Sequence, residues 1–323
     1  GVILGTDIGC TSTPLVRVID PTTGAVRTQF YAYEPTFRGG AHVFGYDITG
    51  DGIAEIITAP GPGRPGEVRV FTRDGVPLPQ YNFFPFGSGY KNGVEIAAGR
   101  VTGVGRTDLV AGQQKGGNLV RVFPVTPGTG ISSTPSRQIQ PFGAAFRGGV
   151  TLATADIGTF TGTRLTAAVP DGITEIIVGS GPGMRAQVKT YNGVPNTPAL
   201  VNTIFPISST YANGVSVAAL PVAAGMADKY MVSAGLNGGS KVETYAGIGK
   251  IPAASFAAFS GVAGQRPDVW TAAIDQSQIF SVQGQYGKTS GVKKNTAPSG
   301  GTSSTLPGSA SILPPLRIST LRS

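Results

Sequence analysis

Residues 40–72 read GAHVFGYDITGDGIAEIITAPGPGRPGEVRVFT, and variants of this unit return along most of the chain. A recurring unit constrains the architecture more than any single residue does, because each copy is one supersecondary module that buries its apolar face on the next. Within it a strand-like run at 41–46 leads into a tight acidic loop at 47–55 and a second run at 56–59. A Pro/Gly turn at 60–66 and a third run at 67–72 follow.

The third run has counterparts at 15–20, 119–123, 187–191 and 241–245, each alternating polar and apolar residues as a half-buried strand does. An aromatic type follows it at 29–33 and 81–86, with weaker copies at 138–142, 203–207 and 255–259. Its prolines suit an outer edge strand, where a missing N–H costs little. Then comes a corner, FRGG at 37–40 and 146–149, YKNG at 90–93 and YANG at 211–214, with a worn copy at 265–267. Gly-Gly and Asn-Gly accept the positive φ such a corner needs. The corner arginines read either as a surface binding row or as cations packed over the corner aromatics; the second reading is preferred, since only some copies carry them. Short strands of small residues follow at 42–46, 94–98, 150–155, 215–219 and 269–273, where crowding around an axis would select Ala and Gly. The last type lies at 55–58, 108–111, 175–178 and 230–233, and residues 1–5 resemble it.

Four antiparallel strands in about 50–65 residues make one propeller blade. The expected fold is therefore all-β: a five-bladed β-propeller of four-stranded antiparallel blades. Six blades is the alternative, because residues 278–282 can form a sixth strand of the second type. The N-terminal segment supplies three strands of one blade, and the inner strand at 269–273 is expected to complete it. Such closure removes exposed sheet edges. The propeller is assigned to residues 1–287, and an irregular, basic, Ser/Thr/Pro/Gly-rich extension to 288–323.

Composition bears on partners and compartment. Charged residues make up only 13% of the 323 residues, which fits a surface partly covered in an assembly or a Thr/Ser-rich exported surface. No acid follows Asp275, whereas Lys288, Lys293, Lys294, Arg317 and Arg322 supply five of the net +8. A basic tail attracts acidic glycan, anionic lipid or nucleic acid, or is simply solvated. Cys10 is the only cysteine, so no intrachain disulfide forms and the redox compartment stays open. No apolar run approaches the roughly 20 residues that span a bilayer. A start at Gly1 is expected of a processed chain or a fragment, and processing points to export.

The loop at 47–55 carries the clearest chemistry. Asp47, Thr49, Asp51 and Glu55 place side-chain oxygens at loop positions one, three, five and nine, Ile53 offers its carbonyl, and Gly52 allows the bend. Ca²⁺ takes six to eight such hard oxygens. The competing reading is an Asp/Gly turn that bonds its own backbone. A weaker second site would use Asp156, Asp171 and Glu175, split by an insertion at 158–170. The third loop begins with Arg100, whose guanidinium replaces a metal's charge, and the fifth keeps only Asp228.

These loops, with IITAPGPG at 56–63 and EVRVF at 67–71, resemble the FG-GAP/VCBS repeat family, the calcium-loop propellers of integrin α-subunits and many bacterial exported proteins. The resemblance is strongest to the bacterial subgroup and covers roughly residues 1–275. It implies a propeller, calcium in the loops, and a role in adhesion or scaffolding.

No catalytic set stands out. His42 is the only histidine and reads as a packed core or channel residue rather than part of a triad. Cys10 has no activating context, and the glycines at 61–63 sit in a strand–strand turn rather than before a helix. Trp270 reads as core before sugar platform. The expectation is a non-enzymatic structural or interaction subunit of a larger extracellular or periplasmic assembly, docking on other protein subunits through the propeller surface and C-terminal tail. The alternative is a cell-surface adhesin or glycan-binding module, and a hydrolase or lyase with a channel-centred site ranks third. Nucleic acid ranks last as partner, since the basic residues lack interleaved aromatics.

Overall fold

A computed structural model describes residues 1–6, 13–208, 210–235 and 238–258 with their side chains. Beyond them it describes the backbone strands Asp268–Asp275, Gln278–Gly284, Lys293–Asn295, Ser304–Thr305 and Leu316–Thr320. Cys10 lies outside the described residues. The chain folds as an all-β propeller of small antiparallel sheets.

From the axis outward, the first sheet runs Leu316–Thr320, Val2–Thr6, Leu15–Ile19, Val26–Tyr31. The second runs Ala41–Tyr46, Glu55–Pro60, Arg69–Phe71, and the third Val94–Gly99, Asp108–Gln113, Val120–Thr126. Gly130–Ile131 and Arg137–Ile139 both pair with the last of these. The fourth runs Val150–Ala155, Glu175–Ser180, Val188–Asn192, Ala199–Ile204, and the fifth Val215–Leu220, Lys229–Ala234, Lys241–Ala246, Ala254–Ala257. These are the five repeats of the sequence. A further sheet, Asp268–Asp275, Gln278–Gly284, Lys293–Asn295, Ser304–Thr305, stands between the fifth and the first, which is the alternative count of six.

The inner strands form a cycle. Ala41–Tyr46, Val94–Gly99, Val150–Ala155, Val215–Leu220 and Asp268–Asp275 each contact the next, and Leu316–Thr320 contacts both ends of the series. Closure thus differs in detail from expectation. Val269 to Ala273 pairs with Gln278–Gly284 rather than joining the N-terminal blade. Its place there is taken by Leu316–Thr320, in register from Val2↔Thr320 to Thr6↔Leu316. Residues 288–323 are therefore not an appendage: three segments of that stretch are strands of the propeller.

The core lies between sheets, not within one central mass. Ile3, Val16, Val43 and Ile56 pack between the first and second. Ile57, Val70, Ile96 and Leu109 pack between the second and third, and Val110, Val122, Leu152 and Ile176 between the third and fourth. Ile177, Val188, Val217 and Val232 fill the next gap. Each strand of the second type contributes neighbouring residues to opposite gaps, as Ile56 and Ile57 do, because successive side chains point to opposite faces.

The aromatic strand of the second blade is reduced. Pro79–Tyr81 forms a 3-10 turn, and only the isolated bridges Phe71↔Pro77 and Val68↔Phe83 tie the segment to the sheet. Prolines at 79 and 85 remove ladder donors on either side. The insertion in the fourth blade forms its own hairpin, Thr159–Thr161 with Arg164–Ala167. Among the described residues no helix is long and apolar enough to cross a membrane.

Candidate metal centre

In the second to fifth blades the first and second strands are joined at the same end of the sheet, so these loops share one face of the ring. Two bonds between neighbouring loops fix this: Thr174 N–H donates to the Arg100 carbonyl at 3.1 Å, and Asp228 N–H to the Asp156 carbonyl at 2.7 Å.

The loop at 47–55 brings all five expected residues together in sequence order around a short turn. Asp47 Oδ1 accepts the N–H of Gly50 at 2.7 Å, and its Oδ2 that of Gly52 at 2.9 Å. Asp51 Oδ1 accepts the N–H of Ile53 at 2.7 Å. Gly50 and Gly52 have φ of 78° and 84°, the left-handed turn that the sequence requires there. Glu55 is 3% exposed, and its Oε2 accepts the N–H of Ile48 at 3.0 Å and of Thr49 at 3.1 Å. Burial, with added repulsion from Asp51 and Asp47, pushes the Glu55 carboxyl above its ordinary value.

The second candidate repeats the scheme across its insertion. Asp156 Oδ2 accepts the N–H of Gly172 at 2.8 Å, Asp171 Oδ1 that of Ile173 at 2.9 Å, and Glu175 Oε2 that of Ile157 at 3.1 Å. Burial, reinforced by Asp156 and Asp171, raises Glu175 to about 9. Burial also raises Asp156, with Asp171 and Asp228 adding to it.

The third and fifth loops share the same device without the acids. Asp108 Oδ2 accepts Thr102 N–H at 2.9 Å and its hydroxyl at 2.8 Å, and Asp108 Oδ1 is buried without a hydrogen-bond partner. Asp228 Oδ1 accepts Val222 N–H at 3.3 Å. One carboxylate at or beside the start of the second strand therefore gathers the loop backbone in the second, third, fourth and fifth blades. The sequence reading missed this role for Asp108 and Asp228. It also missed the apolar plug at the second loop position, where Ile48, Val101 and Ile157 are each 0% exposed. The recurrence of Ile or Val directly after Asp47, Arg100 and Asp156 was the available signal.

The donor chemistry of the first loop fits a hard cation. Three carboxylates and a hydroxyl lie within nine residues, and their mutual repulsion is what a bound cation relieves. The geometry is less complete. Among the described residues no group of three or more His, Cys, Asp or Glu side chains is arranged to hold a metal ion. The carboxylate oxygens instead satisfy loop N–H groups, as in the competing Asp/Gly-turn reading.

The remaining sequence candidates take structural places. His42, 3% exposed, puts Nδ1 3.3 Å from Glu95 Oε1 and Nε2 3.2 Å from Gln114 Nε2, bridging the inner strands of the second and third sheets. The corner arginines do not lie over the aromatics as expected. Arg38 donates to the carbonyls of Pro35 and Phe37, and Arg147 to those of Ala144 and Phe146. The cations over rings come from the turns and third strands, with Arg64 4.3 Å from the Tyr33 centroid and Arg185 4.1 Å from that of Phe205. Compared with known proteins, the chain matches no family model and no curated protein.

Proposed function

We propose that the chain is a non-enzymatic interaction subunit of an extracellular or periplasmic assembly, a closed ring that docks on other protein subunits through its loop face. The supporting observation is the placement of large apolar side chains in solvent. Ile53, Val76, Val104, Val194, Met226 and Ile251 are all exposed, from 41% to 82%, and all lie on loops at the end where first and second strands are joined. Scattered single residues would need no explanation, but a set gathered on one face is the mark of a protein-binding surface. Docking moves from the tail to this face because strands within 288–323 belong to the ring.

Likeness to the FG-GAP/VCBS repeats supports the same reading, with Ca²⁺ as a brace in the 47–55 loop held by Asp47, Thr49, Asp51, the Ile53 carbonyl and Glu55. Asp156, Asp171 and Glu175 form a weaker counterpart. A glycan-binding adhesin is the second reading, favoured by unpaired cations on the opposite face. A channel-centred hydrolase or lyase comes third.

The test is site-specific photo-crosslinking in intact cells of the source organism. A benzoylphenylalanine at Val104 or Ile251 should capture one discrete protein, and the same probe at Phe84, on the opposite end, should not. Capture from neither loop position, or equally from Phe84, would remove the support for loop-face docking.

A further inference from the structure

At the end of the sheets opposite the loops, the blades are clamped together by a repeated backbone bond. Gly63 N–H donates to the Lys91 carbonyl at 2.9 Å, Gly116 to Arg147 at 3.0 Å, and Gly183 to Ala212 at 3.0 Å. Each joins the turn after a blade's second strand to the corner that leads into the next blade. The clamp sets the backbone of the residues flanking it on adjacent stretches of chain. Lys115 directly precedes Gly116, whose N–H the Arg147 carbonyl holds, so both cationic residues meet at this seam, and Tyr90 Oη of the preceding corner fixes the Lys115 carbonyl at 2.7 Å.

Arg38, Lys91, Lys115, Arg147 and Arg185 are all exposed on this end. Among the described residues none of them is in an ion pair, whereas the acids here are already engaged. Glu34 and Glu67 are bound by Arg64 and Arg69, Glu243 by Lys241, and Glu95 is buried beside His42. Like charges held in proximity without counter-charge form a field that attracts anions.

We infer that this row of seams binds an acidic polysaccharide, a linear polymer of carboxylated or sulfated sugars. Such a polymer presents fixed charges at intervals and can follow a row that advances from blade to blade. The surrounding residues favour it over other polyanions. An anionic membrane would draw on a cluster of apolar anchors beside the cations, but the exposed aliphatic set sits on the opposite face and the exposed rings at this end are single residues on separate blades. Single-stranded nucleic acid needs a run of successive open stacking platforms, whereas the exposed rings at this end, Tyr31, Phe84 and Phe205, stand on three different blades, and Arg185 lies 4.1 Å over the last of them. The inference does not depend on loop-face docking, since it uses the other end of the ring.

The experiment measures binding of the full chain to polygalacturonate and to heparin by fluorescence anisotropy, at about 50 mM and about 300 mM NaCl. Lys115→Ser/Arg147→Ser tests one seam and Lys91→Ser/Arg185→Ser its neighbours. Arg106→Ser/Lys250→Ser removes equal charge from the loop face. Circular dichroism confirms the fold of each. The expected result is binding to at least one polymer, weakened about tenfold or more by the salt step and about tenfold by either seam pair, with the loop-face pair within about twofold of wild type. Three results would overturn the inference: no binding at low salt, an equal loss in the loop-face pair, or tighter binding to oligo(dT) or phosphatidylglycerol vesicles than to either polysaccharide.

Discussion

The carboxylate of Glu175 accepts the backbone N–H of Ile157 at 3.1 Å, across an inserted hairpin. Glu55 holds Ile48 in the same way at 3.0 Å, with only a short turn between them. The geometry of the loop thus follows from one buried carboxylate and is indifferent to what lies between. That explains how the third loop keeps its shape although it opens with Arg100, and why a cation, where one binds, braces a loop that is already formed.

Glu175 predicts a pH dependence of stability. Its carboxyl is raised to about 9 in the fold from an ordinary 4.5, by burial first and by Asp156 and Asp171 next. The native chain therefore keeps a proton that the unfolded chain has lost. The resulting stability is fully present below the unfolded value and is lost as pH rises towards about 9. With EDTA present, the melting temperature should fall by about 5 °C between pH 5 and pH 9, and Glu175→Gln should remove most of that fall. A slope unchanged in the variant would assign the dependence to other groups.

Calcium should act as a modest brace. At about tenfold excess over its dissociation constant, a single site adds about 1.4 kcal/mol, or about 2–4 °C in melting temperature. Asp47→Asn/Asp51→Asn should abolish most of the rise, and Asp156→Asn should take away only a small part. The readout is thermal unfolding with and without CaCl₂. No rise in the wild type, or the same rise in the double variant, would leave the first loop as an Asp/Gly turn only.

The corner glycines are sterically fixed. Gly149 has φ of 86°, and a Cβ there would overlap the Gln114 carbonyl oxygen. Gly149→Ala should cost about 2 kcal/mol or more in urea unfolding, since backbone on both sides would have to move. A Cβ at Gly89 meets nothing within 4 Å, so Gly89→Ala should stay within about 0.5 kcal/mol of wild type. Equal costs at the two positions would contradict the close approach of corner and turn.

Much of this was legible because each copy of the repeat restates it. Strand alternation, corner glycines and the spacing from Asp47 to Glu55 recur, and recurrence fixed both the blade order and the candidate loops. The closing strand was not legible. Leu316–Thr320 is five residues long and follows a Ser/Pro/Gly-rich stretch, so its alternation is too brief to separate from background. Only its pairing with Val2–Thr6 reveals it. The arginine assignments failed for another reason. A corner arginine has carbonyls such as Pro35 and Phe37 within reach, and sequence does not weigh those acceptors against a ring.

The two-faced ring requires that the chain's ends meet, and hydrogen–deuterium exchange of the Val2–Thr6 amides tests that most directly. In the full chain they should be protected about as strongly as those of Glu55–Pro60, and in a chain ending at residue 310 they should lose most of that protection. Protection that is the same with and without Leu316–Thr320 would contradict the closure on which both faces depend.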